Sequence, residues 1–122
     1  MPNLLLVMLG GAIGAGARFI VGQASAGSEF PTGTLIVNLA GGLLMGLLAG
    51  ALSRQGALAG PAWLLLGVGA IGGFTTFSAF SLDAVALIAR GAYGPALAYV
   101  AASVLGSLAL FAAGLFLSRA PA

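Results

Sequence analysis

Apolar residues run along the chain in four long blocks, separated by short clusters of Gly, Pro, Ser, Gln and Arg. A bilayer-spanning helix needs about 20 mostly apolar residues, and each block is about that long. The expected spans cover residues 4–22, 34–52, 62–89 and 95–117. Between them lie Gly22-Gln23-Ala24-Ser25, Pro31-Thr32-Gly33, Gly60-Pro61 and Arg90-Gly91-Ala92-Tyr93-Gly94. Transmembrane strands alternate in runs of about ten residues. These blocks are longer and do not alternate, so the expected fold is all-α: a single four-helix transmembrane domain over residues 1–122. The stretch Leu4–Leu9 followed by Ala15-Gly16-Ala17 resembles a secretory signal, but no Lys or Arg precedes it, so a retained first helix is expected.

Composition narrows the chemistry. Of 122 residues, 61% are hydrophobic and 5% are charged, far below the roughly 25% of a soluble domain. There is no Cys, His or Lys. This removes thiolate nucleophiles, disulfides, Cys/His metal sites, the Ser-His-Asp triad and Schiff-base or P-loop lysines. Four Arg against one Asp and one Glu give a net charge of +2, which is no basic patch, and nucleic acid is not an expected partner.

Glycine spacing bears on packing. Gly10 and Gly14, Gly42, Gly46 and Gly50, and Gly69 and Gly73 recur every fourth residue. Small residues at that interval let helix backbones approach closely in lipid. Tightly packed helices leave little room for a wide pore inside four spans, so a conduction path is expected along a subunit surface or between subunits. With four spans, Arg54 and Arg119 lie on one side, and Arg90, with Arg18 near a helix end, on the other. Lys/Arg bias sets orientation, and its near absence here permits insertion either way up and an antiparallel dimer.

Polar residues inside apolar spans are expensive and therefore suspect. Arg18 either snorkels to the head groups or stands as a fixed positive charge at a pore entrance. Thr34 and Asn38 share a helix face; the Asn38 amide either bonds a neighbouring helix or donates to a passing anion. The strongest signal is Gly72-Gly73-Phe74-Thr75-Thr76-Phe77-Ser78-Ala79-Phe80-Ser81. Paired glycines and threonines disfavour a continuous helix, and irregular backbone at membrane depth is tolerated only inside protein or along a cavity. A broken third helix is therefore expected. Its freed carbonyls suit a cation, and the start of the following half-helix suits an anion. Spacing sets Phe74, Phe77 and Phe80 in one stripe and Thr75, Ser78 and Ser81 in another. Ring edges are positive and hydroxyls donate; otherwise the rings pack and the hydroxyls bond back to the preceding turn. In the fourth span Tyr99, Ser103 and Ser107 recur every fourth residue. Asp83 is the only acid within a span, facing a vestibule or pairing with an arginine.

These residues resemble the Fluc (CrcB) family of fluoride channels over nearly the whole chain. The likeness rests on the four-span plan, Gly16-Ala17-Arg18-Phe19, Gly33-Thr34 with Val37-Asn38, and above all the string from Gly72 to Ser81. It implies an antiparallel, dual-topology homodimer with two pores along the subunit interface, in the cytoplasmic membrane of a microbe. It implies that the ring edges of Phe77 and Phe80 face fluoride and that Asn38 lines the pore. Ser78 and Ser81 would belong to a polar track, with Thr34, Tyr99 and Ser103 as additions. Arg18 would match a vestibule arginine. Backbone carbonyls of Gly72 and Thr75 from both subunits would hold a structural Na⁺ on the dimer axis. Ala79 departs from the family, which usually has threonine there, so one hydroxyl of the track is missing.

The function expected is passive, fluoride-selective export with no chemical step, hence not an enzyme. Two other classes fit a small four-span protein. A small-multidrug-type exporter requires an acid in the first span, which has none. A structural subunit needs neither the break nor the paired stripes.

Overall fold

The computed structural model describes residues 1–119, and among them every regular element is helical. Helix α1 covers Pro2–Ala24 and α2 covers Thr32–Arg54. A π-helical segment, Trp63–Ile71, runs into the single turn α3, Gly72–Phe74. Helix α4 is Phe77–Ala89 and α5 is Tyr93–Arg119. Four units are long and apolar enough to cross a membrane: Pro2–Ala24, Thr32–Arg54, Trp63–Ala89 and Tyr93–Arg119.

Local chemistry sets the ends. Pro2 occupies the first turn of α1, where its missing N–H costs nothing. At the end of α2, Gly56 takes φ +66°, the Ala57 N–H donates to the Leu52 carbonyl at 2.9 Å and the Gly56 N–H to the Ser53 carbonyl at 3.2 Å. The same glycine-terminated closure ends α4, with Gly91 at φ +78° and Ala92 donating to Leu87 at 2.9 Å. Arg54 then donates to the Ser118 carbonyl and Arg90 to the Glu29 carbonyl. Each arginine thus ties a helix end to a neighbouring segment on its own side of the bundle.

Two glycine seams join the helices backbone to backbone. A Cβ at Gly14 would stand 2.8 Å from the Phe74 nitrogen and closer still to the Ala70 carbonyl oxygen. One at Gly73 would stand 2.7 Å from the Gly11 carbonyl oxygen, and one at Gly69 would stand 2.9 Å from that of Val7. Along α2 and α5, Gly42 meets the Ser107 backbone, Gly46 that of Phe111 and Gly50 that of Leu115, while Gly114 answers from α5 against Leu43. A smaller side-chain core of Ala84, Leu87, Ala96 and Tyr99 joins α4 to α5, with Phe30, Leu35 and Phe80 against it. Most large apolar side chains point outward, as a lipid-solvated surface allows.

The π-helical stretch has no counterpart in the sequence reading. There the Gly72 N–H reaches back five residues to the Gly67 carbonyl. Trp63 lies over Gly67, where a Cβ would stand 2.7 Å from its ring. Wide π turns are rare in general and frequent at functional sites.

Candidate functional site

Thr75 and Thr76 take extended backbone, with φ/ψ of −81°/159° and −152°/123°. The Thr75 N–H closes the last helical bond, to the Ile71 carbonyl at 3.0 Å, and the ladder stops there, so the polar backbone groups that follow at membrane depth need other partners. Asn38 supplies two of them. Its Oδ1 accepts from the Thr76 N–H at 2.9 Å, and its Nδ2 donates to the Thr76 carbonyl at 3.0 Å. This two-point contact joins α2 to the interruption as a neighbouring strand would. Thr76 is also the N-cap of α4: its Oγ1 accepts from the Ala79 N–H at 3.1 Å. On the other side, Arg18 Nε donates to the Gly73 carbonyl at 3.1 Å. The guanidinium therefore rests against the interruption.

These bonds leave carbonyls short of donors. The Gly72 carbonyl loses the amide four residues on, because the Thr76 N–H goes to Asn38. The bond assigned to it among the described residues is a long one, 3.5 Å from the Thr75 hydroxyl. The Thr75 carbonyl loses its amide likewise, because the Ala79 N–H goes to Thr76 Oγ1. Hard cations take such neutral oxygen donors, and unwound membrane helices use them for Na⁺. The donor set at Gly72 and Thr75 fits such an ion. No cluster of three or more His, Cys, Asp or Glu exists among the described residues to offer another metal site.

Two cavities flank the interruption. The larger, about 460 Å³, is lined by Asn38, Thr75, Thr76, Phe77, Phe80 and Ser103, with Ser107 and apolar residues of α2 and α5. The Phe77 and Phe80 ring centroids lie 5.5 Å apart, and Phe77 is 78% exposed. Phe80 packs on Tyr99 at 5.2 Å. The Ser103 hydroxyl is buried and has no hydrogen-bond partner among the described residues. The smaller cavity, about 230 Å³, is lined by Arg18, Phe19, Gln23, Thr34, Thr76 and Ala79, among others. Arg18, Asn38, Thr34, Phe77, Phe80 and Ser103 thus all line one cavity or the other.

Other residues lie differently. The extended pair breaks the helical register, so Phe74 and Thr75 do not share stripes with Phe77–Phe80 and Ser78–Ser81. Phe74 and Thr75 instead lie against Gly41 of α2. The Thr75 and Ser81 hydroxyls bond back to the carbonyls of Ile71 and Phe77. Ser78 is exposed, with its Oγ 3.4 Å from that of Thr76. Tyr99 is fully buried and its hydroxyl donates to Asp83 at 3.2 Å, so the intramembrane acid is met by a phenol and not by an arginine. Ser107 donates to the Asn38 carbonyl at 3.4 Å. Sequence reasoning passed over Thr76. A hydroxyl residue directly before a helix is a capping signal, and Thr76-Phe77 carries it.

The architecture defines a small multi-pass membrane protein whose third span is served by a fixed arginine, a clamping asparagine and two cavities. Residues 5–115 match the family described as CrcB-like protein, Camphor Resistance (CrcB). The chain is 53% identical over 122 residues to the fluoride-specific ion channel FluC of Chelativorans sp. (strain BNC1), covering 98% of each chain. It is 52% identical over 123 residues to that of Caulobacter sp. (strain K31), covering 98% of this chain and 96% of the relative. For the FluC of Agrobacterium fabrum the identity is 48% over 122 residues, with 98% of each chain covered. The chain belongs to the CrcB family.

Proposed function

We propose that this protein is a fluoride-selective, passive ion channel that exports fluoride across the bacterial inner membrane, which it crosses several times. It carries out no chemical step and is not an enzyme. The observation that carries the choice of ion is near-full-length similarity to proteins named fluoride-specific ion channels.

The working form is an antiparallel, dual-topology homodimer with two pores. The weak Arg asymmetry between the two sides supports insertion both ways up. The open cavity beside the outward-facing Phe77 ring supports a second copy closing each path. A tag on the C-terminus is expected on both membrane faces of intact cells; a single orientation would overturn the antiparallel pair.

A bare anion in low dielectric is costly unless donors replace its water. Asn38 has a second Nδ2 hydrogen beyond the one given to Thr76. The edges of Phe77 and Phe80 and the hydroxyls of Ser78, Thr34 and Ser103 supply the remaining positive ends, while Tyr99 and Ser81, whose hydrogens go to Asp83 and to the Phe77 carbonyl, support the track from behind. Arg18 holds a positive charge at the vestibule, and its bond to the Gly73 carbonyl fixes it there. The broken third helix is the organising element. The carbonyls of Gly72 and Thr75 would hold a structural Na⁺, which would supply fixed positive charge when bound.

Purified protein in liposomes tests this. Fluoride is expected to leave on demand while chloride is retained. No flux of either ion would leave a structural subunit, and proton-driven dye uptake would leave an exporter.

A further inference from the structure

The two cavities have a single lining residue in common, Thr76. Its other polar groups are already committed. The N–H and carbonyl are held by Asn38, and the hydroxyl oxygen accepts from Ala79. The hydroxyl hydrogen remains. Its nearest assigned acceptor, Ser78 Oγ, is 3.4 Å away, beyond the usual 2.5–3.0 Å of an O–H···O bond. The oxygen that carries it is held in place while the O–H stays free to rotate, and among the described residues no close acceptor takes the hydrogen. It stands where the arginine-lined cavity meets the phenylalanine-lined one.

We propose that Thr76 is the partition of the ion path, and that its hydroxyl hydrogen is the donor a fluoride ion takes as it passes between the cavities. This rests on the fluoride-channel function proposed above. The Asn38 clamp holds the backbone and the Ala79 amide holds the oxygen, so the oxygen is set before the ion arrives and only the O–H has to turn. The branched methyl narrows the same point. A small anion that has shed its water gains the hydrogen there, and a larger one meets the methyl.

Three substitutions separate this role from helix capping. Thr76→Ser keeps both cap and donor. Glycine is well tolerated at a helix N-cap, so Thr76→Gly removes the hydrogen without adding charge. Thr76→Val keeps the shape and has neither. Fluoride efflux from liposomes is measured for each, with the elution profile as the check on folding. The serine variant is expected within about threefold of wild type, and the other two at least tenfold slower. Efflux within threefold of wild type for the glycine or valine variant would overturn the proposal, as would a tenfold loss in the serine variant. If valine disrupts folding, the glycine variant decides by the same measure. A wild-type protein that passes no fluoride would instead overturn the channel function.

Discussion

The two halves of the third span are attached to the rest of the molecule by different means. The first half, Trp63–Phe74, meets α1 through backbone: Gly69 and Gly73 lie against Val7 and Gly11, and Gly14 against Ala70 and Phe74. The second half, α4, meets α5 through side chains: Phe80 on Tyr99, Tyr99 on Asp83, and Ala84 and Leu87 against Ala96. Its outer face, with Phe77, Leu82 and Val85, is left open. A backbone seam has no rotamers to adjust, so the first half is a fixed reference. Arg18 adds a side-chain bond to that reference at Gly73, and the second half is aimed from it by Asn38 and Thr76. Substitutions in the first half should therefore act on folding, and those in the second on transport.

The largest expected effect is at Gly14. Gly14→Leu drives a branched side chain into the Ala70 carbonyl and the Phe74 amide. Backbone atoms on both sides cannot retreat without opening the seam. The cost should exceed the roughly 1–3 kcal/mol of ordinary overpacking. The expected result is loss of monodisperse protein on size exclusion; a normal profile with normal efflux would show that the seam yields.

Phe77→Ile and Phe80→Ile come next and sharpen the contrast. Both side chains line the larger cavity, and neither is part of a glycine seam. Isoleucine keeps much of the apolar volume and removes the positive ring edge. The elution profile should match wild type while fluoride efflux falls by at least tenfold. Efflux at the wild-type rate would take the rings out of the path.

Asn38→Asp tests the joint between the halves. One carboxylate oxygen still accepts from the Thr76 N–H, but the other faces the Thr76 carbonyl that Nδ2 now satisfies. A carboxylate also places negative charge against the ion. Efflux should be lost and thermal stability lowered. Asn38→Asp with wild-type efflux would leave Asn38 a packing residue alone.

What the sequence made legible follows the same division. The four spans and the glycine seams are visible because both are periodic, and the apolar length and the four-residue interval need no tertiary information. Arg18, Asn38 and the Gly72–Ser81 string stand out because polar or helix-breaking residues are rare in apolar surroundings. Partners were not legible. Nothing in the spacing says that Asn38 meets the Thr76 backbone or that Asp83 meets Tyr99, since each bond joins residues on different elements. The stripe joining Phe74 to Phe77 assumed one continuous helical register. Two extended residues are enough to turn everything before them to another face. The π-helical turn has no compositional signal at all: Trp63–Ile71 reads as any apolar segment.

The smallest expected effect lies two residues from the largest. Gly16 sits on α1 as Gly14 does, yet a Cβ there meets nothing within 4 Å. In a helix interior alanine is favoured over glycine by about 0.8–1.0 kcal/mol. Gly16→Ala should therefore leave efflux unchanged and raise the thermal midpoint slightly or not at all. The pair isolates contact from propensity, because residue type, helix and depth are nearly shared. If Gly16→Ala proved as damaging as Gly14→Leu, a second backbone would have to lie against that face of α1. The seam with the third span would then have a counterpart on the opposite face of α1 in the assembled channel.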